Sequence, residues 1–566
     1  MNIWRIDTQT HKLTVEPPPV AWERLGGRGL IARILLDEVP PTCEPLGPQN
    51  KLIFAPGLLV GHRMTSCDRI SIGGKSPLTG GVKESNAGGT TGWALAHLGI
   101  RALILEGKPA EGAWQVLHLS AAGAKFEGAD DLVGLGVFEA APLLLQKYGK
   151  KAAIALIGPG GEMGLRAAGI QNLDRDRVPS RIAARGGLGA LMGSKRIKAI
   201  VIDPSGGESP PLSAPTAFRD AQKTYTQALL KHPQTQTYHD FGTAAMASLT
   251  NHFGSLPTRG FSQGTFESAE NINGERLRET ILARGGKGAP AHACMPGCVI
   301  QCSNIYPDTA GEEIVSPLEY ETIGLMGSNL GIDNLDAVAR LSWEVSDLGL
   351  DTIEIGAALG VTAQAGLLNW GDADRTAELI AEIRAGSPLG RIIGNGAAVA
   401  GRVLGVERVP VVKGQAMPAY DPRAVKGTGV TYATSPQGAD HTCGLTIRAK
   451  VNHLDPEGQA DLSRAGQISM AGYDTLGVCI FAGFGFSVVP ETIPALLNAR
   501  YGWEMSADAL RTLGKETLKL EREFNRLSGF TPADDRLPEW MTREPLPPTG
   551  AVFDVPEGDL DGVFNW

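Results

Sequence analysis

The sequence predicts an α+β protein in which a strand-rich first part is followed by mainly helical parts. Residues 1 to about 204 contain short, apolar, β-rich runs bounded by Gly or Pro, at 51–61, 101–107 and 198–204. The segment 204–215 is rich in Pro, Gly and Ser, a composition typical of a linker. Beyond it, apolar residues recur at every third or fourth position, which indicates helices.

Two consecutive helices are predicted near the middle of the chain. The first has Asp333 or Asn334 as its N-cap and Gly349 as its stop. Its apolar positions are Leu335, Val338, Leu341, Val345 and Leu348. The second begins with Asp351-Thr-Ile-Glu354, a capping-box pattern that satisfies free backbone amides. No internal repeat is evident in the sequence.

The length of the chain predicts more than one domain. There are 566 residues, and single hydrophobic cores seldom grow beyond about 250–300 residues. The linker and a weaker boundary near 405–412 divide the chain into three. We expect a β-rich domain at 1–204, a mainly helical domain at 205–408 and a second mainly helical domain at 409–566.

Composition argues against nucleic acid and membrane partners. The net charge is -9, and no basic run is available to neutralise phosphates. The longest apolar stretch, 478–489, is interrupted by two glycines and is shorter than the ~20 residues that span a bilayer. The amino terminus lacks the apolar region of a signal peptide. We therefore expect a cytoplasmic protein without a membrane span.

Cysteine gives the strongest chemical signal. The chain contains Cys294-x3-Cys298-x3-Cys302, with Cys479 far along the sequence. An odd total of seven, three of them within nine residues, is a poor disulfide framework. Three clustered thiolates and a remote one suit a 4Fe-4S cluster. A zinc site, which favours two closely spaced pairs, and a purely apolar role for Cys479 stay open. The remaining cysteines, Cys43, Cys67 and Cys443, are isolated.

A series of motifs extends over about residues 1–530. In chain order they are LGGRGL (25–30), DRISIGGKSPLTG (68–80), ESNAGG (84–89), IGPGGE (157–162), RGGLGALMGSK (185–195), PLEYETIGLMGSN (317–329), MPAYDPR (417–423) and TYATSPQGADHT (431–442). Asp474-Thr-Leu-Gly-Val-Cys479 then follows a D-x-x-G-L-C pattern. Together these motifs resemble the aldehyde ferredoxin oxidoreductase family. The chain departs from that family in its x3, x3 cysteine spacing, where x2, x3 is usual, and in Ser346, which stands in place of the first aspartate of D-x-x-G-L-D.

The resemblance implies a cofactor and its ligands. A β-rich base domain covered by two mainly helical domains would hold a tungsten or molybdenum bis-pterin beside a 4Fe-4S cluster, with Mg²⁺ bridging the pterin phosphates at Asn86. The expected cluster ligands are Cys294, Cys298, Cys302 and Cys479. The expected pterin-binding residues are Arg69, Asn86, Gly88, Arg185, Gly186, Gly187, Asp351, Asp474 and Gly477.

The same resemblance implies a reaction. The enzyme would oxidise a small aldehyde to a carboxylic acid and pass electrons through the cluster to ferredoxin or a ferredoxin-like subunit, as a homodimer or within a larger complex. Glu321 is the expected base, with Glu319 as second choice, because a buried carboxylate with a raised pKa can accept a proton. His441 is expected to orient the substrate oxygen or to donate a proton.

Other functions stay open at this stage. The same fold can carry a low-potential reductase of a carboxylic acid or an aromatic acyl thioester. A different class is a non-catalytic subunit that contains an iron-sulfur cluster or is stabilised by zinc. Dinucleotide binding is not favoured, because Gly187-x-Gly189-x3-Gly193 lacks a preceding strand and an acidic partner. Substrate, direction of reaction, choice of metal and oligomeric state are not specified by the sequence.

Overall fold

Two mixed six-stranded sheets form the first part of the chain in the computed structural model, which describes residues 1–109 and 112–566. The strands of the first sheet are β1 (Asn2–Asp7), β2 (Lys12–Glu16), β3 (Leu52–Pro56), β4 (Ile70–Lys75), β5 (Val82–Ala87) and β6 (Ile100–Glu106). Those of the second are β7 (Gln115–Ser120), β8 (Gly123–Gly128), β9 (Ala153–Leu156), β10 (Ile170–Asn172), β11 (Arg181–Ala183) and β12 (Ile197–Ile202).

The two sheets repeat one topology. The first has the order β2-β1-β6-β3-β4-β5, and the second, taken from its opposite edge, has the order β8-β7-β12-β9-β10-β11. In each, the first and last strands in sequence are parallel neighbours, and the other pairs are antiparallel. The expectation of no internal repeat is therefore wrong at the level of topology. Side chains from both sheets share one hydrophobic core.

The helices of the first part occupy matching places in the two halves. They are α1 (Gly27–Glu38), α2 (Thr91–His97), α3 (Val137–Tyr148), α4 (Pro159–Glu162) and α5 (Leu188–Ser194). In the first half α1 follows β2 and α2 follows β5; in the second half α3 follows β8 and α5 follows β11. The junctions β5–α2 and β11–α5 carry the glycine-rich turns at 86–89 and 185–189. Strand β11 thus precedes Gly187, so the expectation that this turn lacks a preceding strand is wrong.

Helices dominate the rest of the chain, so the predicted α+β class is confirmed. They are α6 (Pro215–Lys231), α7 (Pro233–Phe241), α8 (Ala245–Phe253), α9 (Gly274–Arg284), α10 (Tyr320–Thr322), α11 (Leu335–Asp347), α12 (Thr352–Gln364), α13 (Ala373–Ala385), α14 (Pro388–Gly394), α15 (Ala397–Leu404), α16 (Lys426–Thr434), α17 (Gln459–Leu476), α18 (Gly483–Phe486), α19 (Thr492–Tyr501), α20 (Ala509–Leu527), α21 (Glu539–Arg543) and α22 (Glu557–Gly562). Short strands β13 (Ala289–His292), β14 (Ser303–Pro307), β15 (Glu313–Val315), β16 (Val411–Val412) and β17 (Gln415–Ala416) lie between them.

The two predicted central helices are α11 and α12. The cap of α11 is Asn334 rather than Asp333, because its side chain accepts a hydrogen bond from the amide of Ala337 at 3.0 Å. Asp351 caps α12 by accepting from the amide of Ile353 at 3.0 Å. Helices α21 and α22 pack into the same core as α8, α11 and α12. The boundary at 408 thus does not separate two cores, and the three-domain division stays a prediction.

Over residues 1–109 and 112–566, no single helix is both long and apolar enough to cross a membrane. The segments Gln459–Leu476 and Ile480–Phe486 meet that length and composition only as a pair, with a bend of 107° between them.

A buried ion network joins the sheet part to the carboxy-terminal helices. Arg28 of α1 donates from Nε and Nη2 to the two carboxylate oxygens of Glu521 on α20, at 2.8 Å each, and from Nη1 to Asp474 Oδ2 on α17, at 3.2 Å. The side chains of Arg28 and Glu521 are 1% and 0% exposed. Charges buried this deeply are tolerated because they are paired in good geometry.

Replacing Arg28 with alanine should destabilise the protein strongly. The change leaves Glu521 and Asp474 as buried carboxylates without their cation, a loss that costs about 3–5 kcal/mol. Thermal unfolding followed by calorimetry measures it. The control is Arg33→Ala on the same helix, which removes a surface pair with Asp37 and should cost no more than about 1 kcal/mol. Equal unfolding temperatures for the two variants would contradict the structural role given to Arg28.

Candidate active site

The four predicted cluster cysteines lie close together. Cys294, Cys298 and Cys302 belong to the loop between β13 and β14, and Cys479 follows the end of α17. Burial raises the pKa of the Cys294 thiol to about 12, and the neighbouring Cys298 and Cys479 thiols add to this effect. The backbone amide of Cys479 donates to the carbonyl of Ser66 at 2.8 Å, which ties the remote cysteine to the first sheet part.

Arg69 lies beside this group of thiols. Its Nη2 donates to the carbonyl oxygen of Asn86 at 2.8 Å, its Nε bonds the Asn86 side chain, and its backbone amide donates to Gly477 at 3.3 Å. A Cβ on Gly88 would lie 3.1 Å from Cys294 Sγ and 3.5 Å from Arg69 Nη1, so only glycine fits comfortably here. Burial works to lower the pKa of Arg69, but the thiolates of Cys479 and Cys294 hold it above its ordinary value.

The turn that follows β11, in the second half, lies against strand β5 of the first half. Ser85 on β5 donates a hydrogen bond to the carbonyl of Ala184. The next residues, Arg185, Gly186 and Gly187, have φ values of 69°, 68° and 80°, in the left-handed region that favours glycine. The turn is tight as well, because a Cβ on Gly186 would meet the side chain of Lys83 at 2.4 Å.

Arg185 connects this turn to the helical part. Its Nη1 lies 3.3 Å from Asp351 Oδ2, and its Nη2 donates to the carbonyl of Ala439 at 2.7 Å. Its buried Nε has no hydrogen-bond partner among the described residues. Burial raises the pKa of Asp351, and the positive charge of Arg185 opposes this rise. Thus Asp351 both caps α12 and faces the Arg185 turn.

Asp474 is the corresponding carboxylate on α17. Burial raises its pKa to about 6, while Arg28 works in the opposite direction. Beside it, burial raises the pKa of Glu84 on β5 to about 8, and Glu84 Oε1 is a buried atom without a hydrogen-bond partner among the described residues. Gly477, three residues after Asp474, packs against Gly57, where an added Cβ would lie 2.1 Å from the Gly477 nitrogen.

Ser346 stands where the family motif has an aspartate, and the carboxylate of the neighbouring Asp347 is engaged by other residues. Asp347 Oδ1 accepts from the amide of Phe138 at the start of α3, at 3.1 Å, and Oδ2 pairs with Arg384 at 2.5 Å. Asp347 is therefore used by α3 and α13. Gln171 contacts this position, with Nε2 3.4 Å from the Ser346 carbonyl and a buried Oε1 that has no hydrogen-bond partner among the described residues.

A cavity of about 520 Å³ is lined by all three predicted catalytic residues together with Arg69. His441 Nε2 lies 3.4 Å from Glu321 Oε1. The other oxygen of Glu321 accepts from the amide of Ala419 at 2.8 Å, which fixes the carboxylate. Burial raises the pKa of Glu321, and His441 opposes that shift. The ring of Tyr420 lies 6.0 Å from the His441 ring.

Glu319 faces the cysteines rather than His441. Its Oε2 accepts a hydrogen bond from Thr243, and its Oε1 lies 4.0 Å from Arg181. Burial raises the pKa of the Cys302 thiol, and Glu319 is the charge that adds most to that rise. Glu319 is thus held among fixed partners, whereas Glu321 Oε1 has no hydrogen-bond partner in the described part of the chain.

Several lining residues carry no signal in the sequence. The most distinctive is Arg448, whose guanidinium lies 4.5 Å from the ring centroid of Tyr238 and 5.6 Å from that of Phe484. Thr243 and Arg181, the partners of Glu319, are also missed by motif reasoning. These residues come from distant parts of the chain, and none belongs to a local pattern that indicates a site.

Comparison with known proteins identifies the family. The N-terminal domain of aldehyde ferredoxin oxidoreductase matches residues 3–204, and domains 2 & 3 of the same family match residues 220–561. The tungsten-containing aldehyde ferredoxin oxidoreductases of Pyrococcus furiosus and Thermococcus kodakarensis are 30% and 31% identical, over 96% of this chain and 91% of each relative. The WOR-like subunit of aliphatic sulfonate oxidoreductase from Pyrococcus furiosus is 28% identical, over 92% of this chain and 85% of its own.

A solved structure supports the fold. The active site complex BamBC of benzoyl coenzyme A reductase, in complex with 1,5-dienoyl-CoA, superimposes with a TM-score of 0.80 at 19% identity, over 100% of this chain and 93% of the other. At that identity the likeness concerns the fold alone. With both family regions matched, the resemblance seen in the motifs is confirmed: the chain is an enzyme of the aldehyde ferredoxin oxidoreductase family.

Proposed function

We propose that this protein is a tungsten- or molybdenum-bis-pterin oxidoreductase that oxidises an aldehyde to a carboxylic acid. Electrons then pass through a 4Fe-4S cluster to ferredoxin or a similar carrier. One observation carries the proposal: a single cavity contains the Glu321–His441 pair and Arg69, and Arg69 borders the cysteine group. The tungsten-containing relatives support the same class of cofactor.

The residues present fit a bis-pterin. Buried atoms without protein partners in the described part of the chain, Arg185 Nε, Glu84 Oε1 and Gln171 Oε1, offer a donor and acceptors to a polar ligand. The two glycine-rich turns at 86–89 and 185–189 leave room for backbone amides to face phosphate oxygens. Arg69, Asn86, Gly88, Arg185, Gly186, Gly187, Asp351, Asp474 and Gly477 would hold the group, with Mg²⁺ at Asn86. When bound, the tungsten pterin would supply the two-electron oxidation.

The thiols fit a cluster better than zinc. A structural zinc ion needs four ligands within about 2.3 Å of one point. Among residues 1–109 and 112–566, no three His, Cys, Asp or Glu side chains are gathered closely enough for a single ion. In a 4Fe-4S cluster each thiolate binds a different iron, so the four sulfurs lie farther apart. Cys294, Cys298, Cys302 and Cys479 would be the four ligands.

Glu321 and His441 would perform the proton chemistry. Glu321 Oε1 is the free oxygen of a carboxylate whose other oxygen is fixed by Ala419. Conversion of an aldehyde to an acid takes up the oxygen of one water molecule and releases two protons and two electrons, and Glu321 Oε1 can accept one of these protons. His441 is next to it and can bond the substrate oxygen. Glu319 is the weaker candidate, because Thr243 and Arg181 occupy its oxygens.

The electron route would run past Arg69. This residue touches the cavity, the Asn86 turn and the thiol group, so it lies between the proposed substrate site and the proposed cluster. A cluster converts a two-electron oxidation into single electrons that a ferredoxin-type carrier can accept.

We further propose that the enzyme acts in the cytoplasm, as a homodimer or part of a larger complex.

A second candidate is a low-potential reductase of a carboxylic acid or an aromatic acyl thioester. The cavity wall formed by Tyr238, Phe481 and Phe484 favours it, because aromatic side chains pack well against an aromatic substrate. Aldehyde-dependent reduction of a dye by the loaded enzyme distinguishes the two functions: the leading proposal requires it, and the reductase alternative does not.

Glu321→Gln should abolish the acid limb of the pH profile. Burial raises the pKa of Glu321, so the proposed base gains its active, charged form only as pH rises through a value above that of a free glutamate. Activity should therefore rise with pH through that value in the unchanged enzyme. The substitution should lower kcat by about 10²–10⁴-fold and leave no such limb. If Glu319→Gln removes the limb instead, Glu319 is the base.

Cys479→Ala should give a folded protein that has lost iron. The thiol is the remote fourth ligand, so its removal opens the proposed cluster while the loop with the other three cysteines remains. Iron content and visible absorption of anaerobically purified protein measure the effect. The matched control is Cys43→Ala, a buried cysteine in a separate hydrophobic cluster, which should keep its iron. Full iron and full turnover in Cys479→Ala would overturn the ligand assignment.

A further inference from the structure

We infer that Arg448 binds an oxyanion at the far end of the substrate. The preferred substrate would then be an aldehyde with an aromatic or branched apolar body and a carboxylate, sulfonate or phosphate group opposite the reacting carbon. This inference rests on the proposed function, because it takes the Glu321–His441 pair as the end at which the aldehyde reacts.

Arg448 lines the same cavity as His441. Five residues of the segment 441–448 line the cavity, namely His441, Thr442, Gly444, Leu445 and Arg448. His441 lies next to Glu321 and Tyr420, whereas Arg448 contacts a different part of the lining, the rings of Tyr238 and Phe484. Arg448 is more exposed than the partly buried His441, so it lies nearer the mouth of the cavity. Desolvation of the guanidinium against its neighbours lowers its pKa to about 10, which leaves it charged at neutral pH. One wall therefore presents a proton-transfer group inside and a cation at the mouth.

Aromatic side chains hold the Arg448 guanidinium in a defined orientation. The guanidinium stacks on the rings of Tyr238 and Phe484, and Nη2 lies 3.3 Å from the sulfur of Met246. A guanidinium that packs on aromatic faces is held in a defined plane, so less entropy is lost when it binds a ligand. The side chain is fixed by these neighbours, and apart from the weak contact of Nη2 with the Met246 sulfur they do not use its hydrogen-bond donors.

The charge of Arg448 is not paired with an acidic side chain of the described residues. It forms no ion pair with any acidic side chain in residues 1–109 and 112–566, and its only hydrogen-bond contact there is the weak one to sulfur. The two carboxylates of the cavity have other partners, since Glu319 bonds Thr243 and Glu321 bonds Ala419. The other arginine of the lining, Arg69, bonds Asn86. A free planar fork of donors is the usual partner of carboxylates, sulfonates and phosphates.

The space between the two ends sets the body of the substrate. The cavity of about 520 Å³ is of the size that encloses a small organic molecule. Its remaining lining includes Leu445, Met470, Ile480 and Phe481. These side chains offer contact to an apolar or aromatic body and no second charge. A neutral aldehyde would also fit, but it would leave the Arg448 donors to water.

Two aldehydes of similar shape test the inference with the tungsten-loaded enzyme. The unchanged enzyme should use 4-formylbenzoate with a kcat/KM at least about tenfold higher than 4-methylbenzaldehyde, chiefly through a lower KM. Arg448→Gln should abolish this preference. Arg448→Lys should keep part of it, because the charge remains and the planar fork is lost. Lys450→Gln, which removes an exposed cation from the same segment but outside the cavity, should keep the preference.

A binding measurement separates this inference from the proposed function. Calorimetry with 4-(hydroxymethyl)benzoate, which has an alcohol in place of the aldehyde, should give affinity that falls about tenfold or more in Arg448→Gln. If the loaded enzyme oxidises no aldehyde but this binding depends on Arg448, the anion site stands and the proposed function fails. If aldehydes are oxidised with no preference for the anionic one, and binding is unchanged in Arg448→Gln, the inference is wrong.

Discussion

The buried contact of Arg28 with Glu521 and Asp474 is the interaction on which the site depends. It joins α1 of the sheet part to α17 and α20, and it fixes the end of α17 that leads into Gly477 and Cys479. If these helices moved apart, the buried cation and carboxylates would lose their partners without regaining water, and the protein would lose much of its stability. The fourth cysteine thereby reaches a loop that lies far from it in sequence.

The repeated topology of the two sheets explains the paired character of the site. Each half ends its fifth strand in a glycine-rich turn that leads into a short helix, at 86–89 in the first half and at 185–189 in the second. Strands β5 and β11 are sheet edges, and a hydrogen bond from Ser85 of β5 to Ala184, the residue after β11, connects the two edges. A duplicated fold can in this way present two similar turns to a ligand that itself has two similar halves.

Local patterns predicted those parts that local physics determines. The spacing of apolar residues gave α11 and α12 because helix periodicity is written in consecutive positions. Glu321 and His441 were singled out by resemblance to family motifs, and their side chains lie 3.4 Å apart; their catalytic roles stay predictions. The repeat was missed because two halves can share strand order without sharing residues, and Arg448 was missed because its partners Tyr238 and Phe484 are distant in sequence. The boundary at 408 is obscured because α21 and α22 return to an earlier core.

We propose that one chain holds a redox metal in a pterin next to a 4Fe-4S cluster on four cysteines. Elemental analysis of protein purified without oxygen, from a host that makes the pterin, tests it most directly. The expected result is about one tungsten or molybdenum and about four irons per chain. Zinc alone, with neither iron nor tungsten nor molybdenum, would contradict it and would leave the four thiols as a structural site.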